Sequence, residues 1–111
     1  MNNRTLGGFE SMLLLAVMRL GENAYGVTIR HELLTKAKKD VAIGAIYTGL
    51  ERLERKGFVR SWLGEPTSAR GGRPKRFYRV TANGRKVLNK TQGAIQGLMV
   101  GLDLAGGNAN A

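Results

Sequence analysis

The period at which apolar residues recur changes twice along this chain, and that change limits the folds open to it. Up to Gly57 the apolar residues return every three to four positions, as they do on one face of a helix. From Phe58 to Val80 they fall in two short extended runs, separated by a stretch that holds both prolines. From Ala82 the helical spacing resumes. A chain of 111 residues supports one domain. The expected order is three helices, a two-stranded hairpin and a last helix.

The first helix is expected over residues 8–20, with Phe9, Met12, Leu13, Ala16, Val17 and Leu20 on a core face. Leu14, Leu15 and Met18 form a second apolar stripe. A helix that is apolar on two sides must be covered on both, and a short chain draws the second cover from a partner subunit. Gly21 ends this helix, and Asn23 is the expected cap of the next, which runs from about Ala24 to Lys38. Lys36, Lys38 and Lys39 crowd its last turn, where the helix dipole alone accounts for them. The third helix is expected from about Ile43 to Lys56, with Ile46, Leu50 and Leu53 inward and Gly57 as its stop. Its opposite side carries Gly44, Thr48, Glu51, Arg52 and Arg55, flanked by Ala45 and Tyr47.

Phe58–Leu63 and Arg76–Val80 read as strands, with Tyr78 and Val80 inward. Residues 64–75 read as their loop. Thr81 is the expected N-cap of a helix from about Ala82 to Leu102. Leu88, Thr91, Ile95, Leu98 and Leu102 recur there at spacings of 3, 4, 3 and 4, a short seam of coiled-coil type. Gly93, Gly97 and Gly101 line another side of that helix. Three helices followed by a hairpin make a mainly α, α+β chain with the layout of a winged helix-turn-helix. Residues 1–81 would form the DNA-binding domain, 82–104 a C-terminal dimerisation helix in the same compact unit, and 105–111 a flexible tail.

Charge narrows the function. Eighteen Lys and Arg stand against eight acids, for a formal net charge of +10. Such an excess points to a polyanion, nucleic acid ahead of a membrane surface. No apolar run approaches the ~18 residues of a transmembrane helix. With no signal-peptide pattern either, the expected location is cytoplasmic. The chain has no cysteine, which excludes disulfides and thiolate metal sites. The single histidine, His31, has no ligand spacing around it and reads as solvent-facing or capping. The lone tryptophan, Trp62, reads as core. No nucleophile–base pair or phosphate-loop pattern occurs, so no enzyme, metal or cofactor is expected.

Two stretches carry the candidate DNA contacts. In the loop, Arg70, Gly71, Gly72, Arg73, Lys75 and Arg76 place cations around glycines that let backbone approach a ligand closely. Five cations lie between Arg70 and Arg79 with no acid among them. Such a tip can clamp phosphates or enter a narrow minor groove. On the third helix, Gly44, Ala45, Tyr47, Thr48 and Arg52 would face the major groove. The helix start lacks the Arg, Asn or Gln that makes bidentate base contacts, which leaves thymine methyls and hydroxyls to be read. Two readings stay open on these residues: a sequence-specific regulator of transcription, and a nucleic-acid-packaging or RNA-binding structural protein that uses charge alone.

Ala24-Tyr25-Gly26, then Gly44-Ala45-Ile46-Tyr47 through Leu50, Leu53, Glu54, Lys56, Gly57 and Val59, then Gly71-Gly72-Arg73-Pro74-Lys75-Arg76-Phe77-Tyr78 with Val80-Thr81 and Gly84, resemble the phenolic-acid-repressor (PadR) family. The likeness spans roughly residues 8–90 and is most specific in the loop and the strand that follows it. It implies a homodimeric winged helix-turn-helix repressor of double-stranded DNA, of the compact type with one C-terminal helix. Carried over, Tyr47 and Thr48 would contact groove or phosphate, and Arg73, Lys75 and Arg76 would be wing contacts. The C-terminal helix would build the dimer, through Leu88, Thr91, Ile95, Leu98 and Leu102 with Leu14, Leu15 and Met18 of the first helix. Some members take aromatic or cationic effectors between subunits; the sequence assigns none to this chain. Its trailing helix departs from the pattern in being rich in glycine and free of charge over residues 93–102.

Overall fold

The computed structural model describes residues 5–65 and 73–106. Its elements are α1 (Gly8–Leu20), a 3-10 turn (Gly21–Asn23), α2 (Gly26–Ala37), α3 (Ile43–Arg55), β1 (Val59–Leu63), β2 (Arg76–Val80) and α4 (Ala82–Met99). The strands pair antiparallel in the register Val59↔Val80, Ser61↔Tyr78 and Leu63↔Arg76. These pairs share the inward side, and Arg60↔Arg79 and Trp62↔Phe77 share the outer one. Tyr25 adds an isolated bridge to Phe77, and the Tyr78 amide donates to the Ala24 carbonyl at 2.9 Å. The sheet therefore gains a third, one-residue edge from the segment before α2.

Leu13, Leu14 and Val17 of α1, Ile29 and Leu33 of α2, and Ile46, Leu50 and Leu53 of α3 form one core, closed by Val59, Tyr78 and Val80 of the hairpin and by Val87 and Leu88 of α4. Salt bridges span the helix pairs at the surface: Arg19–Glu32 at 2.6 Å between α1 and α2, and Lys56–Glu10 at 2.8 Å from the end of α3 to α1. Exposed pairs of this kind contribute roughly 0–1 kcal/mol each, so packing carries the fold.

The junction of the hairpin and α4 is locked by polar contacts. The Thr81 hydroxyl accepts from the Gly84 amide at 3.0 Å, as its place before the helix predicts, and donates to the Gly57 carbonyl at 2.6 Å. Gly84 sits so close to the Phe58 carbonyl that a β-carbon there would collide with it. This glycine permits α4 to start flush against the α3–β1 corner.

Two helix limits differ from the sequence expectation. Asn23 does not cap α2: Gly21–Asn23 form the 3-10 turn, Ala24 is extended and buried, and Tyr25 occupies the cap position. Edge pairing and burial there outweigh the local preference for an asparagine cap. At the other end α4 stops at Met99, short of Leu102. Val100 is extended and Gly101 takes a φ of 84°, so Gly101 lies outside the helix on which the glycine stripe was expected. Among the described residues no helix is long and apolar enough to cross a membrane.

Candidate nucleic-acid interface

The exposed side of α3 and the returning strand of the hairpin face one another across an open groove. The groove encloses about 470 Å³ and is lined by Tyr25, Val27, Tyr47, Glu51, Leu63, Pro74, Lys75, Arg76 and Tyr78. α3 supplies one wall through Tyr47 and Glu51, which are one turn apart on its surface. The hairpin supplies the other through Leu63 and residues 74–76, and the start of α2 joins the floor.

Each wall is held in place. The Tyr47 hydroxyl lies against Gly26, in space that a β-carbon at Gly26 would need. The absence of a side chain at the first position of α2 thus makes room for the Tyr47 hydroxyl. On the hairpin side, the Arg76 guanidinium donates to the Ser61 hydroxyl at 3.0 Å, and that hydroxyl donates to the Glu54 carboxylate of α3 at 2.9 Å. This relay ties a wing cation to the helix opposite. The Lys75 ammonium stands 4.6 Å from the centroid of the Tyr25 ring, a cation–π contact. Tyr25 packs edge-on to Phe77 at 5.6 Å, and Phe77 stacks on Trp62 at 6.2 Å. Burial pushes the Tyr78 phenol above its usual range, with Arg76 nearby opposing the shift.

Of the sequence-assigned contact residues, Tyr47, Lys75 and Arg76 line the groove. Gly44, Ala45 and Thr48 are exposed at the start of α3, and a β-carbon built on Gly44 would meet nothing within 4 Å. Arg52 is exposed too, but five positions from Tyr47 place it ~140° away around the helix, off the groove wall. Arg73 is exposed at the near end of the hairpin. Arg70, Gly71 and Gly72 lie outside the described residues.

Sequence reasoning missed Tyr25, Val27, Leu63, Glu54 and Ser61. Their roles depend on pairing across the fold, which local spacing does not encode. Trp62 is also corrected: it is half-buried on the outer face of the hairpin, with Arg60 at 5.3 Å from its ring centroid, and is not a core residue. His31 is exposed.

Three residues that the sequence assigns to a subunit interface lie inside the protomer instead. Leu14 is fully buried, Leu88 is buried against the same core, and Thr91 is buried with its hydroxyl accepting from the Leu6 amide at 2.9 Å. The apolar stripe of the first half of α4 is used to hold α4 on its own protomer. Leu15, Met18, Ile95, Leu98 and Leu102 are exposed, Leu98 to 80%.

Comparison with known proteins agrees with this architecture. Residues 14–90, well over half of the chain, match the model of the transcriptional regulator PadR-like family. A transcriptional regulator from Clostridium thermocellum superposes with a TM-score of 0.68 at 22% identity, over 81% of this chain and 84% of that one. A PadR family transcription regulator from Clostridium difficile gives 0.65 at 20% identity, over 83% and 95%. A PadR family transcriptional regulator from Eggerthella lenta gives 0.64 at 25% identity, over 79% and 74%. A search of curated proteins finds no match to the sequence. With a winged helix-turn-helix fold and the family match from the middle of α1 through the hairpin into α4, this chain belongs to the PadR-like family of transcriptional regulators.

Proposed function

We propose that the chain is a homodimeric repressor that binds double-stranded DNA at specific sequences, with the start of α3 in a major groove and the basic hairpin on the adjacent minor groove and phosphates. The observation that carries this reading is the shared groove: α3 and the hairpin cations Lys75 and Arg76 open to the same side, so one duplex reaches both. The net charge of +10 supplies the attraction to phosphate. Family membership supplies the regulatory role.

The dimer reading rests on α1 and the free end of α4. Leu15 and Met18 on α1, and Ile95, Leu98, Met99, Val100, Leu102 and Leu104 at the C-terminal end, are large apolar side chains left uncovered by the protomer. Large apolar side chains clustered at the end of α4 in this way mark an interaction site. Gly93 and Gly97 have nothing near their β-positions, which leaves room for close approach of a second helix.

Binding to the DNA upstream of the protein's own coding region, compared with random duplex across a salt series, tests the reading. A repressor prefers its own region at every salt concentration. Equal affinity for both, falling together with salt, would instead make this a nucleic-acid-packaging protein.

A further inference from the structure

The outer face of the hairpin, turned away from α3, carries side chains that the packing of the protomer does not account for. The register sets Arg60 directly opposite Arg79 on that face. Like charges that face each other across a strand pair are destabilising. A third arginine, Arg85, stands in the first turn of α4, a turn without an acid, where the positive end of the helix dipole opposes a cation. Arg79 and Arg85 line one cavity of about 110 Å³ beside Gly21, at the end of α1. The carbonyls at that end of α1 offset part of the repulsion but cancel no charge. Neither strand contains an acid. Among the described residues the salt bridges are Arg19–Glu32, Arg30–Asp40 and Lys56–Glu10, and none involves Arg60, Arg79 or Arg85. An anion seated here would relieve all three arginines.

Trp62 narrows the kind of anion. It lies on the same outer face, paired with Phe77, and its ring is half-buried. The two rings are stacked at 6.2 Å with 26° between their planes, and the Arg60 guanidinium stands 5.3 Å from the Trp62 centroid. Indole, Arg60, Arg79 and Arg85 therefore follow one another along one side of the molecule. Aromatic faces beside cations are how proteins hold unpaired bases: the ring stacks on the base and the cations take the phosphates. In a duplex the base faces are already stacked on their neighbours, so an exposed ring of this kind favours a single strand. The Arg79–Arg85 cavity has room for a group of a few heavy atoms such as a phosphate.

We propose that the outer face of the hairpin is a second nucleic-acid surface that takes a short single strand, with a base stacked on Trp62 and adjoining phosphates against Arg60, Arg79 and Arg85. An acidic peptide would satisfy the arginines and leave the indole unused. The proposal goes beyond duplex binding and uses none of the residues that line the groove facing α3.

Trp62 is the only tryptophan of the chain, so its fluorescence reports on this face alone. Oligothymidylate about ten nucleotides long should quench it. An abasic oligomer of the same length and charge should bind about five- to 150-fold more weakly, the worth of one stacked base. Arg79→Gln and Arg85→Gln should each weaken the oligothymidylate and lower its salt slope by about 0.7. Trp62→Leu, followed with a dye-labelled oligomer, should lose the preference for oligothymidylate over its abasic counterpart. Circular dichroism checks that each variant is folded, and Arg85→Gln, a surface change, keeps the test available where Trp62→Leu does not fold. Arg85→Gln should leave duplex affinity unchanged, and protein saturated with duplex should still be quenched by the oligomer. Displacement of the oligomer by duplex, or equal binding of oligothymidylate and abasic oligomer, overturns the proposal. Polyglutamate that binds with the same dependence on Arg79 and Arg85 overturns it too, and makes this face a docking surface for an acidic protein segment.

Discussion

The hydroxyl of Tyr47 occupies the space that a β-carbon on Gly26 would take, so the outer wall of α3 and the first residue of α2 are shaped for each other. Gly26→Ala should therefore cost about 1–3 kcal/mol, the usual penalty for overpacking, and should weaken DNA binding through displacement of the ring. In a Tyr47→Ala background the same substitution should cost little, because alanine is the better helix former by ~1 kcal/mol. Denaturant unfolding of the four proteins in this cycle measures the coupling. Additive single effects would show that the two residues do not share that space.

Hairpin and helix should fail differently. Arg73→Ala should weaken binding to every duplex and lower the salt slope by about one, since a phosphate contact carries no sequence. Thr48→Ala should change which sequences are preferred. Glu51 lines the same groove as Lys75 and Arg76 and opposes phosphate there, so Glu51→Gln should tighten binding to specific and random duplex alike. Titrations at two or more salt concentrations distinguish the three patterns, and an unchanged affinity for Arg73→Ala would remove the hairpin from the interface.

Association should depend on the far end of α4 and not on its first turns. Leu98 is 80% exposed, so Leu98→Glu should leave the protomer folded and shift the sedimentation profile towards monomer. Thr91→Ala should act on protomer stability instead, by about 1–3 kcal/mol, because the buried Leu6 amide loses its acceptor. A Leu98→Glu protein that stays dimeric would move the interface elsewhere.

Burial raises the pKa of the Tyr78 phenol above the ordinary tyrosine value of about 10. The folded state therefore holds this proton more tightly than the unfolded chain does. The stability gained is fully present below pH ~10 and is lost as pH rises through the higher folded value. The thermal midpoint should fall above pH ~10, and the fall should be smaller in Tyr78→Phe. An identical alkaline profile in both proteins would assign the loss to other groups.

Element order was legible in the chain because it depends on local period. The change from helical spacing to alternation at Gly57–Phe58, and back at Thr81, set three helices, a hairpin and a helix, and the Thr81 cap falls where it was expected. The cations of the hairpin and the small residues at the start of α3 were equally visible, since charge and size need no neighbour to be read. The rest was decided by tertiary contact. A helical wheel shows that α1 has two apolar stripes but not which body covers each; packing put Leu14 in the protomer core and left Leu15 and Met18 outside. The same holds for the seam on α4, divided between Leu88 and Thr91 within and Ile95 and Leu98 without. Tyr25 entered the groove only because its segment pairs with Phe77, far away in sequence, and long-range pairing of a single residue leaves no periodic trace.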